Sequence, residues 1–232
     1  MRYLYLMLLL ILFSNNTLAH PIISDLAIRN ITIDSKFSGI DMLVFGALDV
    51  KGDVVIIVHG PKRSLFINKK EKKFGFWING KRERLENIEQ FYSVSSNLKL
   101  SDITDSNILK NIQIEHLKFS TDKELNAAFK KIKTKNKLYS ETDNSVDLIN
   151  DKLFRNTIKF PSNISQGRYV IEILLFYDGN LFGMQTIPLI VSKVGIESFI
   201  SDMHTDQPIL YALFAVIGAL FIGWFGSIIK RK

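Results

Sequence analysis

Histidine and glutamate are the residues of this chain most able to do acid–base or metal chemistry, and their spacing argues against both. The four histidines are His20, His59, His116 and His204. None pairs with another at an interval of four residues or lies beside a Glu in the pattern of a zinc-binding helix. His59 ends an apolar run, where we expect a structural imidazole rather than a ligand or a base. We therefore expect no metal site.

Other catalytic patterns are equally scarce. Glu83, Glu86 and Glu89 recur every three residues, and we interpret them as charge balance for neighbouring Lys and Arg rather than as general acid and base. There is no Cys, no Gly-x-Ser-x-Gly and no glycine-rich phosphate loop. The sequence therefore predicts a protein that is not an enzyme and that uses no cofactor.

One basic and aromatic segment is a candidate interaction patch, formed by Lys69, Lys70, Lys72, Lys73 and Trp77. Two interpretations are open. In the first, Trp77 together with Phe66 or Phe76 points into the core, and the lysines are only a solvated loop. In the second, the lysines and an exposed aromatic bind lipid head groups or an acidic partner.

The elements that position this patch are predicted to be hairpins. Strands are expected at Ser64 to Asn68 and at Phe74 to Ile78, the second followed by Asn79-Gly80, a pair that favours a type I′ turn. Strands at Arg168 to Tyr177 and Leu181 to Val191 are joined by Asp178-Gly179-Asn180, the strongest hairpin signal in the chain.

These patterns predict a mainly β fold. We expect an exported domain over residues 20–194 that resembles an immunoglobulin-like β-sandwich, with a helical insertion at about 101–140. In the insertion, Thr121 to Glu124 form a predicted capping box, ahead of an apolar face made by Leu125, Ala128, Phe129 and Ile132. Its lysines are interpreted as a solvated face rather than as an anion site.

The first apolar run predicts a secretory signal peptide over residues 1–19. Eleven apolar residues, Tyr3 to Phe13, are too few to cross a bilayer, and the small residues Thr17 and Ala19 suit cleavage after Ala19. An uncleaved signal anchor is the alternative.

The second apolar run predicts a transmembrane helix over residues 208–229, which contain no charged residue. The tail, 230–232, is Lys-Arg-Lys, whereas acidic residues outnumber lysine just before the span. The positive-inside rule then places the tail in the cytoplasm and the domain in the periplasm, so the protein is single-pass in the inner membrane. Residues 195–207 are expected to form a juxtamembrane helix or connector, which either lies on the membrane or packs under the sandwich.

Small residues recur every four positions along the predicted span, at Ala215, Ala219, Gly223 and Ser227. They lie on one helical face, which predicts packing against another helix, either that of a membrane-protein partner or a second copy. The whole chain has a formal charge of +7, and removing Arg2 and the three cations of the tail leaves about +3 on the exported part. This charge is too small to indicate a nucleic-acid partner, and none is expected.

Several segments occur together in a recognisable order: DMLVFGALD, GDVVIIVHGP, KKEKKFGFWING, FYSVSS and the junction from Val194 to Trp224. The set is similar to the family of putative transmembrane proteins of alphaproteobacteria. This resemblance implies a signal peptide, an exported domain and one membrane span, and it supplies no catalytic residues.

The function expected from the sequence is therefore that of a non-enzymatic, membrane-anchored periplasmic accessory protein that contacts another envelope protein. The alternative is a periplasmic binding module for a small or anionic ligand that serves a membrane exporter. A large pocket lined by Arg and Lys would favour the alternative.

Overall fold

The computed structural model describes residues 21–73, 75–103, 111–195 and 208–229. The predicted signal peptide, the connector after Gly195 and the basic tail lie outside these residues. The described chain is mainly β, as the sequence predicts. Among the described residues, no helix was identified as both long enough and apolar enough to cross a membrane.

Ten of the strands form two sheets. The four-stranded sheet has the order β1 (Ile22–Leu26), β3 (Gly39–Leu48), β10 (Leu153–Pro161) and β9 (Asp147–Ile149). The six-stranded sheet has the order β2 (Asn30–Ile33), β12 (Asn180–Lys193), β11 (Gly167–Tyr177), β4 (Asp53–His59), β7 (Tyr92–Ser96) and β8 (Tyr139–Thr142). Neighbouring strands are antiparallel except for β2 with β12 and β7 with β8, which are parallel.

The main core contains side chains from both sheets. In β10 every second residue is buried, as expected for a strand with one face on a core. Phe91 stacks on Phe160 with ring centroids 4.9 Å apart, and both contact the ring of Tyr169. The Tyr169 hydroxyl donates to the carbonyl oxygen of Ser165 at 2.8 Å, which closes the turn before β11.

The outer face of the six-stranded sheet is covered by the helical segment between β7 and β8. This segment contains α1 (Leu100–Ile103), a short 3₁₀ turn (Ile114–His116) and α2 (Lys123–Lys135). Its apolar residues pack on that face against β4, β7 and β11. As a result β4 is buried on both faces, which explains its continuous apolar sequence.

The helix α2 differs from its prediction in two respects. Asp122 is the N-cap, and its carboxylate accepts the backbone N–H groups of Glu124 and Leu125, so the predicted box with Thr121 as cap is wrong. The buried residues are Phe129 and Lys133, whereas Ala128 is exposed and Ile132 is 58% exposed. The helix is therefore rotated from the expected face, and the interpretation of its lysines as fully solvated is wrong for Lys133.

The remaining strands, β5 (Lys62–Lys73) and β6 (Phe76–Glu89), form a long hairpin that we call the ribbon. Lys73 pairs with Phe76, and Gly75 just before Phe76 has φ 85°. The predicted turn at Asn79-Gly80 is therefore wrong, and both residues lie inside β6. The register explains this. His59 pairs with Tyr92 and Lys62 pairs with Glu89, so the base of the ribbon continues the register of β4 and β7. Two register shifts, between Arg63 and Leu65 and between Asn68 and Lys70, then lead to the pairing of Lys73 with Phe76.

The hairpin β11–β12 is the one that local sequence predicts correctly. Tyr177 pairs with Asn180, and Asp178 and Gly179 both have positive φ, as a two-residue type I′ turn requires. The last helix, α3 (Pro208–Ile229), has 22 residues.

Candidate functional site

The ribbon has a packed base and an exposed tip. At the base, Leu85 and Ile88 are buried in a small cluster with Phe129 of α2, and Leu65 and Ile67 pack against this cluster. Glu83 accepts a hydrogen bond from the Ser120 hydroxyl, just before α2. The helix α2 therefore holds the ribbon in place up to about Ile67.

Beyond the base, the described aromatic side chains of the ribbon are exposed. Phe76 is 75% exposed and Phe66 is 58% exposed. The guanidinium of Arg82 lies over the Phe66 ring, 4.1 Å from its centroid, a cation–π arrangement. The interpretation that Phe66 or Phe76 belongs to the core is therefore wrong.

The predicted patch residues lie on this ribbon. Lys69, Lys70, Lys72 and Lys73 belong to the distal part of β5, and the register pairs Lys72 with Trp77 of β6. The side chains of these five residues lie outside the described part of the structure. By sequence, residues 66–82 contain six Lys or Arg and one Glu. Residues 20–207 as a whole have a formal charge of +3, so the part of them outside residues 66–82 is net negative.

The ribbon leaves the six-stranded sheet at the end where β12 also ends. β4 and β12 are both antiparallel to β11, so they run in the same direction. His59 pairs with Val170, and Val170 pairs with Pro188, five residues before the end of β12. The chain therefore continues toward α3 from the same end of the six-stranded sheet that carries the ribbon.

A charged cluster at this end surrounds His59. The Nδ1 atom lies 3.2 Å from Glu89 Oε1 and the Nε2 atom lies 3.6 Å from Glu172 Oε2. The Nζ atom of Lys62 is 3.6 Å from the same Glu89 carboxylate, and the ring of Tyr92 packs edge-on against the imidazole. Glu89 thus joins the ribbon base to β4, which sequence spacing alone did not indicate.

The cluster sets the protonation of His59. Burial lowers the pKa of His59, but the hydrogen bond and charge of Glu89, together with the charge of Glu172, raise that pKa above its usual value in spite of Lys62. The proton on His59 therefore stabilises the folded state fully below the unfolded pKa of about 6.5. This contribution is lost as the pH rises through the folded pKa.

Replacing Glu89 with Gln should lower the pKa of His59, because the hydrogen-bonded anion is removed. The measurement is an NMR titration of the His59 imidazole. Glu86→Gln is the matched control, since Glu86 lies on the same strand but pairs with Arg84 at 3.2 Å. If the pKa of His59 is the same in Glu89→Gln as in wild type, the contact between Glu89 and the imidazole is not formed in solution.

A second unusual group is Lys133 on α2, whose side chain is only 6% exposed. Its Nζ atom lies 3.4 Å from the carbonyl oxygen of Gln90 and 3.5 Å from Gln90 Oε1. The rings of Phe129 and Tyr139 are each 5.5 Å away. Burial lowers the pKa of Lys133 to about 8. None of the ion pairs recorded in the described residues includes this lysine.

An open cleft of about 510 Å³ lies at the opposite end of the six-stranded sheet. Its charged lining residues are Asp53, Asp151, Asp178 and Lys51, and Lys51 pairs with Asp151 at 2.8 Å. This lining is more acidic than basic, the reverse of what an anion site needs. Within the described residues, no group of three or more His, Cys, Asp or Glu side chains is arranged to hold a metal ion.

The predicted small-residue face of α3 stays a prediction. Ala219 and Gly223 are exposed, and a Cβ atom added at Gly223 would meet no atom within 4 Å. The side chains of Ala215 and Ser227 lie outside the described part of the structure.

Together these features define a mainly β protein with a projecting basic ribbon and a separate apolar helix. The chain matches the family described as "Putative transmembrane protein (Alph_Pro_TM)" over residues 21–232, and it belongs to this family. No curated protein matches the chain.

Proposed function

We propose that the protein is a non-enzymatic, membrane-anchored interaction protein whose β domain lies in the periplasm and whose helix α3 crosses the inner membrane. The observation that carries the proposal is the surface of α3. Its described large apolar side chains are exposed, and they include consecutive positions from Leu220 to Ile222. A helix that is apolar on all sides requires lipid or protein around it.

The length and charge of α3 support the same assignment. Its 22 residues would rise about 33 Å, close to the hydrocarbon thickness of a bilayer. It contains no charged residue, and three cations follow it directly. No span was identified among the described residues, so the proposal rests on the sequence of α3 and on the exposure of its side chains.

The topology of the sheets supports an immunoglobulin-like assignment for the exported domain. A four-stranded sheet faces a larger sheet whose edge strand, β2, pairs in parallel with the last strand, β12. The hydrogen bond from Tyr169, near the start of β11, to the Ser165 carbonyl oxygen four residues upstream resembles the tyrosine corner at the start of the sixth strand of such domains. Immunoglobulin-like domains commonly bind partners rather than catalyse reactions, an argument from analogy of fold.

The alternative of an anionic-ligand module receives less support. The cleft beside Asp53 is acidic, and a second open cleft of about 550 Å³ has only Lys118 and Lys123 as charged lining residues. Many other basic residues lie on the ribbon and on residues 123–135, which form strands and a helix rather than the lining of a pocket. A contact surface suits this distribution better than a closed binding site does.

Two reporter fusions test the topology. A reporter that is active only in the periplasm, fused before Gln207, should be active, and a reporter that is active only in the cytoplasm should be active after Lys232. The opposite pair of results would refute the orientation. Mass spectrometry of the mature protein should find His20 at the N-terminus, and a chain that still begins at Met1 would refute cleavage.

A further inference from the structure

We propose that the outer face of the four-stranded sheet binds the same face of a second copy of this chain. The proposal rests on the proposed function only in taking the chain as an interaction protein, for which it names one partner. It is argued from the β domain alone and does not depend on the position of α3.

This outer face is apolar at positions where the exposed face of an antiparallel sheet is normally polar. The strand register places four apolar residues in one outward row across all four strands, namely Ile23, Ala47, Leu153 and Ile149. Ile23 is 70% exposed and Leu153 is 50% exposed, and Phe45 in the next row of β3 is also exposed. A continuous apolar surface of this kind indicates a contact site.

The two sheets differ in how their outer faces are covered. On the six-stranded sheet, the helical segment between β7 and β8 packs on the outer face and buries its apolar residues. On the four-stranded sheet, the large outward apolar side chains of β1, β3, β9 and β10 are exposed in the described structure. The second face therefore has apolar surface that a partner can bury.

The charges next to the apolar row are arranged so that the face is complementary to itself. Phe45 pairs with Asp25 of β1 on one side and with Arg155 of β10 on the other. A twofold axis that runs along β3, in the plane of the contact, places β1 of one copy against β10 of the other. Asp25 then faces Arg155 of the second copy, and Ile23 faces Leu153 of the second copy.

Each of these charged residues already has a neighbour of opposite sign at the surface. Arg29 donates to Asp25 at 2.8 Å, and Arg155 donates to Asp147 at 3.1 Å. Across the contact, opposite charges would alternate from Arg29 and Asp25 of one copy to Arg155 and Asp147 of the other. An apolar centre with a charged rim is typical of specific interfaces. Because this pattern matches the face to itself, it favours a second copy over an unrelated protein.

The size of the face predicts a reversible dimer. Four strands spaced about 4.8 Å apart, with a length of about 34 Å for the ten residues of β3, cover about 600 Å² per copy. This is an upper limit, because β1 and β9 are shorter than β3. Two copies together therefore reach only the lower end of the range for specific interfaces.

A cysteine on the proposed axis tests the contact, since the chain contains no Cys. Packed sheets lie about 10 Å apart, so Ala47→Cys in the full chain should give a crosslinked dimer with a short bismaleimide in native membranes. Thr186→Cys, at an exposed position of β12 in the other sheet, is the control and should give little dimer. Adding Ile23→Lys should reduce the Ala47→Cys dimer at least about tenfold. Adding Ile190→Lys, at an exposed position of β12, should leave it unchanged.

Reversal of the charges tests the axis itself. In Asp25→Arg and in Arg155→Asp, like charges face each other twice across the contact, so each variant alone should dimerise at least about tenfold more weakly than wild type. When the two variants are mixed, opposite charges face each other again at both places. Mixed dimers, measured by co-purification of differently tagged full chains in detergent, should exceed the proportion expected from random exchange. Glu86→Arg, the same charge reversal on the ribbon, should dimerise as wild type does.

A random proportion of mixed dimers would overturn the proposal, because a dimer held by α3 alone exchanges its copies at random. No crosslink at Ala47, or an equal crosslink at Thr186, would also overturn it. A crosslinked product that does not have twice the mass of the chain would overturn it in favour of a different protein. These measurements do not use the reporter fusions, so the dimer and the membrane anchor can fail separately.

Discussion

Replacing Phe91 with Ala should lower the free energy of unfolding of the β domain by about 3–5 kcal/mol. Phe91 is fully buried, and its ring stacks on Phe160 at 4.9 Å and meets Tyr169 at 6.0 Å. The surrounding rings belong to different strands, which limits how far they can move to fill the cavity. Most of the lost burial and dispersion energy should therefore appear as lost stability.

The backbone of Phe91 adds a second reason to expect a large effect. Its carbonyl oxygen accepts the N–H of Gly60 at 2.7 Å, at the point where the ribbon joins β4 and β7. A Cβ atom at Gly60 would lie 2.7 Å from the Phe91 nitrogen, so the two chains touch there. A cavity beside this contact should also loosen the base of the ribbon.

Phe76→Ala is the matched control, because it makes the same chemical change on an exposed residue of the same hairpin. We expect a change within about 0.5 kcal/mol. The measurement is urea unfolding of the full chain in detergent, followed by near-UV circular dichroism, which reports aromatic packing. A Phe91→Ala loss no larger than that of Phe76→Ala would contradict the described core.

Local sequence predicts elements whose structure depends on nearby residues. The turn at Asp178-Gly179 needs two residues that tolerate positive φ, and no distant strand competes with it. The buried strand β4 is also recognisable, because an apolar run of that length requires two covered faces. Family membership follows from longer segments of the chain.

Features that depend on the pairing of distant strands could not be predicted from the sequence. Asn79-Gly80 has favourable turn chemistry, but the pairing of His59 with Tyr92 sets the register at the base of the ribbon, and two register shifts within the ribbon then pair Lys73 with Phe76. The carboxylates around His59 come from β6 and β11, and only the sheet order brings them together. No spacing in the sequence indicates either result.

Lys133 illustrates the same limit within a helix. The periodicity of α2 favours Ile132 as the buried residue, but the structure buries Lys133 beside Phe129. A long lysine side chain can lie along aromatic rings while its ammonium reaches the carbonyl oxygen of Gln90. The packing of the ribbon against α2, which sequence could not supply, decides the rotation of the helix.

Replacing Lys133 with Met should raise the free energy of unfolding by about 1–2 kcal/mol at pH 7. Burial of the ammonium costs energy, and its two contacts with Gln90, at 3.4 and 3.5 Å, are too long to offset that cost. Met has a similar shape and keeps the contact with the rings. The measurement is again urea unfolding, compared with Lys131→Met, an exposed position on the same helix that should change little.

The pH dependence gives this prediction a second and independent readout. Since burial lowers the pKa of Lys133 to about 8, the folded state releases a proton that the unfolded state holds up to a pKa of about 10.4. The unfolded state then binds more protons, so stability should rise by about 2 kcal/mol between about pH 7 and 9.5. Lys133→Met should lose this rise, whereas Lys131→Met should keep it.

The range ends near pH 9.5 because the buried tyrosines act in the opposite direction. Burial raises the pKa of Tyr92, Tyr139 and Tyr169 above the usual value, so above about pH 10 the unfolded state releases tyrosine protons first and stability falls. If wild type and Lys133→Met show the same slope between pH 7 and 9.5, the ammonium of Lys133 is solvated in solution, and its burial beside Gln90, Phe129 and Tyr139 is wrong.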